Sequence, residues 1–192
     1  AAWKMRSHPR RRWFNWAGIL FSCAYLVFTY YHKVQVNTAF EETLAEKNIS
    51  YDRYMTGPTI FNNILWNCVA EGEGEYYMGL YSLNDRKPFF RDLVTLPKNH
   101  DLLQPYEGQR TTEILQWFTN EYYMVKKGEN GAMELNDLRF GSVSVEDPEN
   151  PVFVFKFNLE VKDGVLEATQ ERGAEEAGEE AFAVLWRRIK GQ

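Results

Sequence analysis

An abrupt change of charge near residue 33 constrains this chain more than any other feature of its sequence. The first 33 residues contain six basic side chains and no acidic one, whereas the remainder contains 16 basic and 27 acidic side chains, a net charge of −11. Between Arg12 and Lys33 lies an uncharged run, residues 13–31, rich in aromatic and aliphatic residues. A basic cluster, an apolar run and an acidic domain, in that order, predict a membrane segment whose N-terminus stays in the cytoplasm.

The residues at the two ends of the apolar run fit the two faces of a bilayer. A membrane-spanning helix needs about 20 residues, close to the length of the run. Aromatic side chains favour the membrane–water interface, and arginines beside it meet anionic lipid headgroups. The predicted membrane-interface residues are Arg10, Arg11 and Arg12 before the run, Trp13 and Trp16 at its start, and Tyr30 and Tyr31 at its end.

Three other interpretations of the run fit the sequence less well. A cleaved signal peptide requires a small-x-small site, and none follows the run. Arg11 and Arg12 resemble a twin-arginine signal, which needs the same cleavage site. A buried core helix fits neither the length nor the flanking charge. The expected partner is therefore the lipid bilayer. Nucleic acid is not expected, because binding phosphates requires a basic face and the outer part of the chain is acidic.

We predict four segments along the chain. They are a basic cytoplasmic flank at residues 1–12, a transmembrane helix at 13–33, a helical extension at 34–50 and an extracytoplasmic α+β domain at 51–192. The extension is predicted because Val36, Phe40 and Leu44 recur every four residues, as on one face of a helix. The expected location is the bacterial inner membrane, with the C-terminal domain on the extracytoplasmic side.

Short apolar runs separated by turn residues predict a mostly antiparallel β-sheet domain with a C-terminal helix. The expected strands are 51–56, 60–70, 76–83, 89–96, 122–126, 132–135, 152–159 and 165–169. A turn at 71–75 makes the second and third strands a hairpin. The expected helical elements are a turn at 101–104, a helix capped by Thr111 or Thr112 with Ile114, Leu115 and Phe118 on one face, and a helix at 175–190 whose apolar face carries Phe182, Leu185, Trp186 and Ile189.

The histidines do not indicate a metal site. A transition-metal site needs several ligands that converge on one point. His8 and His32 flank the membrane segment about a bilayer apart, so they cannot ligate one ion within one chain. His100 stands alone in a loop or helix cap and is interpreted as a surface residue.

The acidic and nucleophilic candidates are equally weak. Glu71, Glu73 and Glu75 alternate with glycine, but their spacing is not that of a calcium loop, and a soluble turn is the favoured interpretation. Cys68 on an apolar strand is interpreted as a buried residue. Ser142 follows a glycine but lacks the second glycine of a nucleophile elbow. We therefore assign no catalytic, cofactor-binding or metal residue in this chain.

Several segments resemble a known family. They are Arg53-Tyr54-Met55-Thr56-Gly57-Pro58-Thr59, Phe61-Asn62-Asn63-Ile64-Leu65-Trp66, Tyr77-Met78-Gly79-Leu80-Tyr81-Ser82, Leu96-Pro97-Lys98-Asn99 and Asn136-Asp137-Leu138-Arg139-Phe140-Gly141. Together with the basic stretch and apolar run, they resemble the C-terminal part of the longer, Bacteroidetes-type members of the YdjM-like membrane-bound hydrolases, which are classed as metal-dependent. The resemblance implies that the run is the family's last membrane helix.

The hydrolase label of that family rests on histidine and aspartate motifs in upstream membrane helices, which this sequence lacks. The resemblance therefore implies a divalent metal only for the upstream region, and upstream helices of the same polypeptide as partners. The start at Ala1 rather than Met agrees with a piece of a longer protein. The leading hypothesis is an extracytoplasmic accessory domain of such a hydrolase. The alternatives are a free-standing membrane-anchored module that binds a ligand or protein, and a domain that is itself catalytic through carboxylates.

Overall fold

The structure of the chain, a computed structural model, describes residues 11–59, 62–90, 93–128, 132–142, 151–172 and 178–191. The helices are α1 (Arg11–Glu46), a 3-10 helix (His100–Tyr106), α2 (Arg110–Thr119) and α3 (Gly178–Ile189). The strands are β1 (Arg53–Pro58), β2 (Leu65–Glu71), β3 (Glu75–Ser82), β4 (Val94–Pro97), β5 (Tyr123–Lys127), β6 (Met133–Ser142), β7 (Phe153–Lys162) and β8 (Val165–Arg172).

The strands form two four-stranded antiparallel sheets, with the orders β1-β2-β3-β4 and β5-β6-β7-β8. This confirms the predicted α+β class with a mostly antiparallel sheet. Because side chains alternate along a strand, Trp66, Cys68 and Ala70 on β2 lie on one face of the first sheet. Asn67 and Val69 lie on the other face. All five are buried, so both faces of this sheet are covered.

The C-terminal half of α1 covers the outer face of the first sheet. Phe40 is fully buried, and its ring centroid lies 4.9 Å from that of Phe90 and 5.8 Å from that of Tyr54. Val36 and Leu44, one turn to either side of Phe40, are also fully buried. The four-residue spacing that predicted an apolar helix face here is therefore confirmed.

The two sheets pack against each other, and the second sheet is covered on its far side by the 3-10 helix and α2. The side chains between the sheets include Val69, Met78, Tyr122, Met124, Leu138 and Phe153. The far side of the second sheet includes Tyr123, Val125, Leu135 and Leu159, packed with Leu103 and Leu115. The domain is thus four layers deep, in the order helix, sheet, sheet, helix.

A single helix occupies the positions of the predicted transmembrane and extension segments. α1 is 36 residues long and ends at Glu46, short of residue 50, and Asn48 adopts a left-handed conformation with φ 54°. A left-handed residue of this kind commonly follows the last turn of a helix. In the part of the chain that the structure describes, no helix combines the length and the apolar character needed to cross a membrane.

The strand bounds differ from prediction most clearly in β2, β6 and β4. β2 begins at Leu65; of the residues predicted before it, 60 and 61 lie outside the described part, and the side-chain oxygen of Asn62 accepts hydrogen bonds from the backbone N–H groups of Ile64 and Leu65 and forms a turn. β6 extends beyond residue 135 to Ser142 through Asn136 and Asp137, polar residues that are nevertheless buried. β4 is Val94–Pro97, whereas the predicted strand was 89–96, of which residues 91 and 92 lie outside the described part.

The helices also differ in detail from prediction. The residue before α2 is Gln109, and Thr112 is not a cap but donates a hydrogen bond to the carbonyl of Tyr106 (2.9 Å). The buried residues of α2 are Thr112, Leu115 and Thr119. Of the three residues predicted to share one face, Leu115 is buried, whereas Ile114 and Phe118 are 49% and 37% exposed. α3 lies within the predicted range 175–190, of which residues 175–177 are outside the described part.

Candidate functional site

The first part of α1, residues 12–31, projects from the domain with apolar side chains exposed around most of its circumference; we call it the outer half of α1. At 1.5 Å per residue it is about 30 Å long, the thickness of the hydrocarbon core of a bilayer. The side chains between 65% and 77% exposed are Trp13, Trp16, Leu20, Phe21, Leu26, Val27 and Tyr30. A surface of this kind is not a normal feature of a monomeric soluble domain.

The predicted interface residues stand at the two ends of the outer half. Trp13 and Trp16 are exposed at its start, and Tyr30 and Tyr31 are exposed at its end. Trp13 and Tyr31 lie about 27 Å apart along the helix axis. Arg12 is exposed. Arg11 is the first residue of α1, and its side chain is outside the described part, as is all of Arg10. The interface role of these seven residues stays a prediction.

One face of the outer half is small and polar. Asn15, Gly18, Ser22 and Thr29 follow a spacing of three, four and seven residues, which places them on one side of a helix; we call them the polar stripe. A Cβ added at Gly18 would meet no atom within 4 Å. The stripe continues the face on which Phe40 packs, so a helix packed on it would lie above the first sheet.

A ring of polar contacts marks where α1 meets the domain. His32 Nδ1 lies 3.0 Å from the carbonyl oxygen of Asn63, and Asn63 Nδ2 donates to the hydroxyl of Thr29 at 3.0 Å. Lys33 Nζ donates to the carbonyl of Thr56, also at 3.0 Å. We call these five residues the collar. The outer half of α1 ends at the collar, and the packed half of α1 begins there.

The C-terminal turn of α3 lies at the same end of the first sheet as the collar. The loop that carries Asn63 leads into Leu65, the first residue of β2. Leu65 pairs with Ser82 at the end of β3. The hydroxyl of Ser82 donates to the carbonyl of Ile189 at 2.9 Å, and Asn84 Nδ2 donates to the same oxygen at 2.8 Å. We call this end of the domain, with the collar and the turn after β3, the proximal end.

A charged and aromatic cluster occupies the opposite end of the first sheet. Glu71 accepts hydrogen bonds from Arg53 Nε at 2.5 Å and from Lys98 Nζ at 2.7 Å. The Arg53 guanidinium lies 4.4 Å from the centre of the Tyr122 ring, and Lys98 Nζ lies 5.2 Å from that of Tyr76. Burial opposes ionisation of Glu71, but the hydrogen bonds from Lys98 and Arg53 outweigh it and hold the pKa of the carboxyl below its usual range. A carboxylate held in this way serves the fold, and it is a poor general base.

His100 is not the surface residue that was predicted. Its ring stacks on that of Tyr123, with centroids 4.0 Å apart and planes 12° apart, and Nε2 lies 2.8 Å from the Tyr123 carbonyl oxygen. Burial lowers the pKa of the imidazole. Cys68 is fully buried, as predicted, and burial raises the pKa of its thiol, so it is not a reactive nucleophile.

The structure does not bring the predicted acidic turn together as a site. Glu71 is bound to Arg53 and Lys98, Glu73 is exposed, and Glu75 accepts a hydrogen bond from the Tyr77 hydroxyl. Across the described ranges, no three His, Cys, Asp or Glu side chains are arranged to hold a metal ion. Sequence reasoning missed the collar residue Asn63 and the turn after β3, since their partners are distant in the chain.

The chain was compared with family models, with curated proteins and with solved structures, and no match was found in any of them. The resemblance to the YdjM-like hydrolases therefore stays a prediction. The exposed surfaces of α1 and of the proximal end are what the structure itself offers for inferring function.

Proposed function

We propose that this chain is an extracytoplasmic accessory domain that the outer half of α1 holds in a membrane, as the last membrane helix of a larger metal-dependent hydrolase. The observation that carries this proposal is the exposed apolar surface over about 30 Å of helix before the collar. The chemistry would belong to the upstream helices, since no residue of this chain is assigned a catalytic role.

The size of the exposed surface favours a bilayer as its cover. Covering one large apolar side chain stabilises by about 1.5–3 kcal/mol, so the seven most exposed side chains of the outer half represent on the order of 10 kcal/mol. A second copy of the chain, packed side by side, would cover one face of the helix. Hydrocarbon surrounds the helix, and the apolar side chains here project from every side except the polar stripe.

The distribution of charge supports the orientation. Lysine and arginine near a membrane segment favour the cytoplasmic side. Arg12 is exposed at the start of the outer half, whereas the residues after Lys33 carry a net charge of −11. We therefore place the N-terminus in the cytoplasm of a bacterial cell and the two-sheet domain on the other side of the inner membrane.

The polar stripe supports an accessory role. Small and weakly polar side chains let membrane helices approach closely and exchange hydrogen bonds. Asn15, Gly18 and Ser22 form such a face on the same side of α1 as the domain. In the proposed arrangement, upstream membrane helices of the same polypeptide pack on this face, and the domain lies directly over their extracytoplasmic ends.

A pair of matched double variants tests the membrane proposal. Leu20→Lys/Val27→Lys changes two side chains of the outer half that are 70% and 69% exposed, and Val161→Lys/Val165→Lys changes two of the domain that are 44% and 55% exposed. The measurement is flotation of the full chain with vesicles of bacterial lipids. The parent and the domain variant should float, and the outer-half variant should stay at the bottom. Flotation of the outer-half variant at parent level would contradict the proposal.

A free-standing membrane-anchored binding module is the second candidate. The observation that favours it is an exposed aromatic cluster on the far side of the domain, where Trp117 is 80% exposed and the Arg139 guanidinium lies 5.2 Å from the ring centres of both Phe118 and Phe140. Aromatic and arginine side chains are frequent in protein-binding surfaces.

The oligomeric state in detergent separates the two candidates. If the polar stripe packs on other membrane helices, the isolated chain should associate through it, and Gly18→Leu/Ser22→Leu should restore the monomer. A free-standing module should be monomeric with either sequence. Light scattering of the purified chain in detergent measures this directly.

A further inference from the structure

The C-terminal turn of α3 is fixed firmly to the proximal end. The Arg188 guanidinium donates hydrogen bonds to the Asp85 carboxylate at 2.5 and 2.7 Å and to the carbonyl of Leu80 at 3.2 Å. Gly191, with φ +75°, lies so close to the turn that an added Cβ would be 2.6 Å from the carbonyl oxygen of Asn84. The orientation of this turn relative to α1 is therefore set by the fold.

The opposite side of this turn carries an exposed tryptophan and a lysine. Trp186 and Lys190 are one turn apart, and both lie on the side of α3 away from Arg188. Trp186 is 60% exposed, and Lys190 Nζ lies 5.5 Å from the centre of its ring. Ala183 is exposed on the same face. Tryptophan beside lysine is the pairing that membrane–water interfaces favour.

Exposed basic side chains lie on α3 and in the turn after β3, although the domain is acidic. The turn that receives α3 continues from Asp85 into Arg86 and Lys87, both exposed, and Lys190 is exposed on α3. Asp85 itself is bound to Arg188. After Lys87 the chain runs back along α1, because the Phe90 N–H donates to the Thr43 hydroxyl and Lys47 Nζ lies 5.6 Å from the centre of the Phe89 ring. Lys190 is thus a cation that α3 holds at the proximal end, whereas the residues after 33 as a whole have a net charge of −11.

From this juxtaposition we infer a second membrane contact, in which the C-terminal turn of α3 lies on an anionic lipid surface with Trp186 in the interface and Lys190 facing the headgroups. The inference rests on the proposed function, because α1 is what brings the proximal end to the bilayer. The Trp186–Lys190 pair and its position favour lipid rather than protein as the occupant: the contact lies next to the collar, where the outer half of α1 ends.

Site-specific quenching by spin-labelled lipid tests the contact in the full chain. Cys23→Ser removes the exposed thiol, and the remaining Cys68 is fully buried. In that background a fluorophore is attached at Leu20→Cys in the outer half, at Ala183→Cys beside Trp186, or at Val161→Cys on the domain as the control. The vesicles contain phosphatidylglycerol and nitroxide lipid.

Quenching is expected at positions 20 and 183, several-fold above that at 161. Adding Trp186→Ala/Lys190→Gln should lower quenching at 183 to the level of 161 while leaving position 20 unchanged. Replacing phosphatidylglycerol by phosphatidylcholine should reduce quenching at 183 by at least half.

Each failure has a distinct meaning. If the fluorophore is quenched at position 20, but quenching at position 183 is no greater than at position 161, the second contact is overturned. The membrane anchor formed by the outer half of α1 would still stand. Absence of quenching at 20 would overturn the proposed function and the inference with it. Equal quenching at 183 in both lipids would overturn the role of the headgroups.

Discussion

Arg188 binds Asp85 through two hydrogen bonds, at 2.5 and 2.7 Å, although 103 residues separate them in the chain. The pair joins the last helix to the turn after β3, and both side chains are largely shielded from water. Charge-assisted bidentate pairs of this geometry are among the stronger polar contacts in proteins.

Loss of this pair should release α3. We expect Arg188→Gln to lower the free energy of unfolding by about 1.5–3 kcal/mol, because the Asp85 carboxylate loses its partner. Hydrogen exchange of the α3 amides and denaturant unfolding measure the effect. The control is Lys162→Gln, whose partners Glu160 and Glu167 are exposed, and which should leave both measurements unchanged.

Comparing alanine variants of two glycines separates the cost of backbone strain from the cost of a close contact. Gly164 and Gly191 have φ values of +79° and +75°, but only at Gly191 does an added Cβ meet an atom, the Asn84 carbonyl oxygen at 2.6 Å. Alanine at either position adopts an unfavourable backbone conformation that costs about 1 kcal/mol. Gly191→Ala should cost roughly 1–3 kcal/mol more than Gly164→Ala in thermal or denaturant unfolding, since the turn must also move. Equal losses of stability in the two variants would show that the turn after β3 moves away from the added Cβ without cost.

Two phenylalanines on α1 should behave oppositely. Phe40 is fully buried against the first sheet, so Phe40→Ala should reduce domain stability by about 3–5 kcal/mol through lost packing and a cavity. Phe21 is 77% exposed, so Phe21→Ala should leave domain stability in detergent unchanged. Near-ultraviolet circular dichroism during denaturation follows both. A large loss in Phe21→Ala would mean that the outer half of α1 contacts the domain.

The Glu71 cluster should make stability depend on acid pH. The pKa of Glu71 is lower in the folded state than its ordinary 4.5, because hydrogen bonds from Lys98 and Arg53 outweigh burial. The carboxylate therefore contributes stability that is complete above about pH 4.5 and is lost as pH falls through the lowered folded pKa. Glu71→Gln should be about 1–3 kcal/mol less stable than the parent at pH 7, with a smaller difference at pH 3. A difference independent of pH would exclude the ion pairs as its cause.

The proposed orientation predicts an asymmetric digestion pattern. Protease added to intact spheroplasts should remove the domain after Lys33 and spare a tag placed before Ala1. In lysed spheroplasts both should be cleaved. Protection of the domain until lysis would reverse the orientation.

Local sequence patterns predicted the parts of the fold that local physics decides. The four-residue spacing of Val36, Phe40 and Leu44 predicted the packed face of α1, and the Glu-Gly alternation predicted the turn between β2 and β3. β6 was underestimated because Asn136 and Asp137 look like turn residues. Their side chains are instead bound by charged neighbours two residues away in the same strand, since Asn136 donates to Glu134 and Arg139 donates to Asp137.

The surfaces proposed to carry function were predicted only in part. The apolar run before Lys33 and its aromatic ends were visible in the sequence, as was the apolar face with Trp186. The proximity of Asp85 to Arg188 was not, because a pair across 103 residues leaves no local signal. Without knowledge of that pair, the sequence gives no reason to place the turn after β3 beside the last helix.

In the proposed arrangement, the continuity of α1 couples the membrane mechanically to the domain. Between Ile19 and Ser50 the sequence has no glycine or proline, and the helix runs unbroken through the collar. A helix of 36 residues is about 54 Å long, so a tilt of about 20° displaces one end relative to the other by roughly 18 Å. In the proposed arrangement α1 therefore behaves as a rigid connection between the bilayer and the two-sheet domain. A change in bilayer thickness would change the tilt of α1 and so move the domain relative to the membrane.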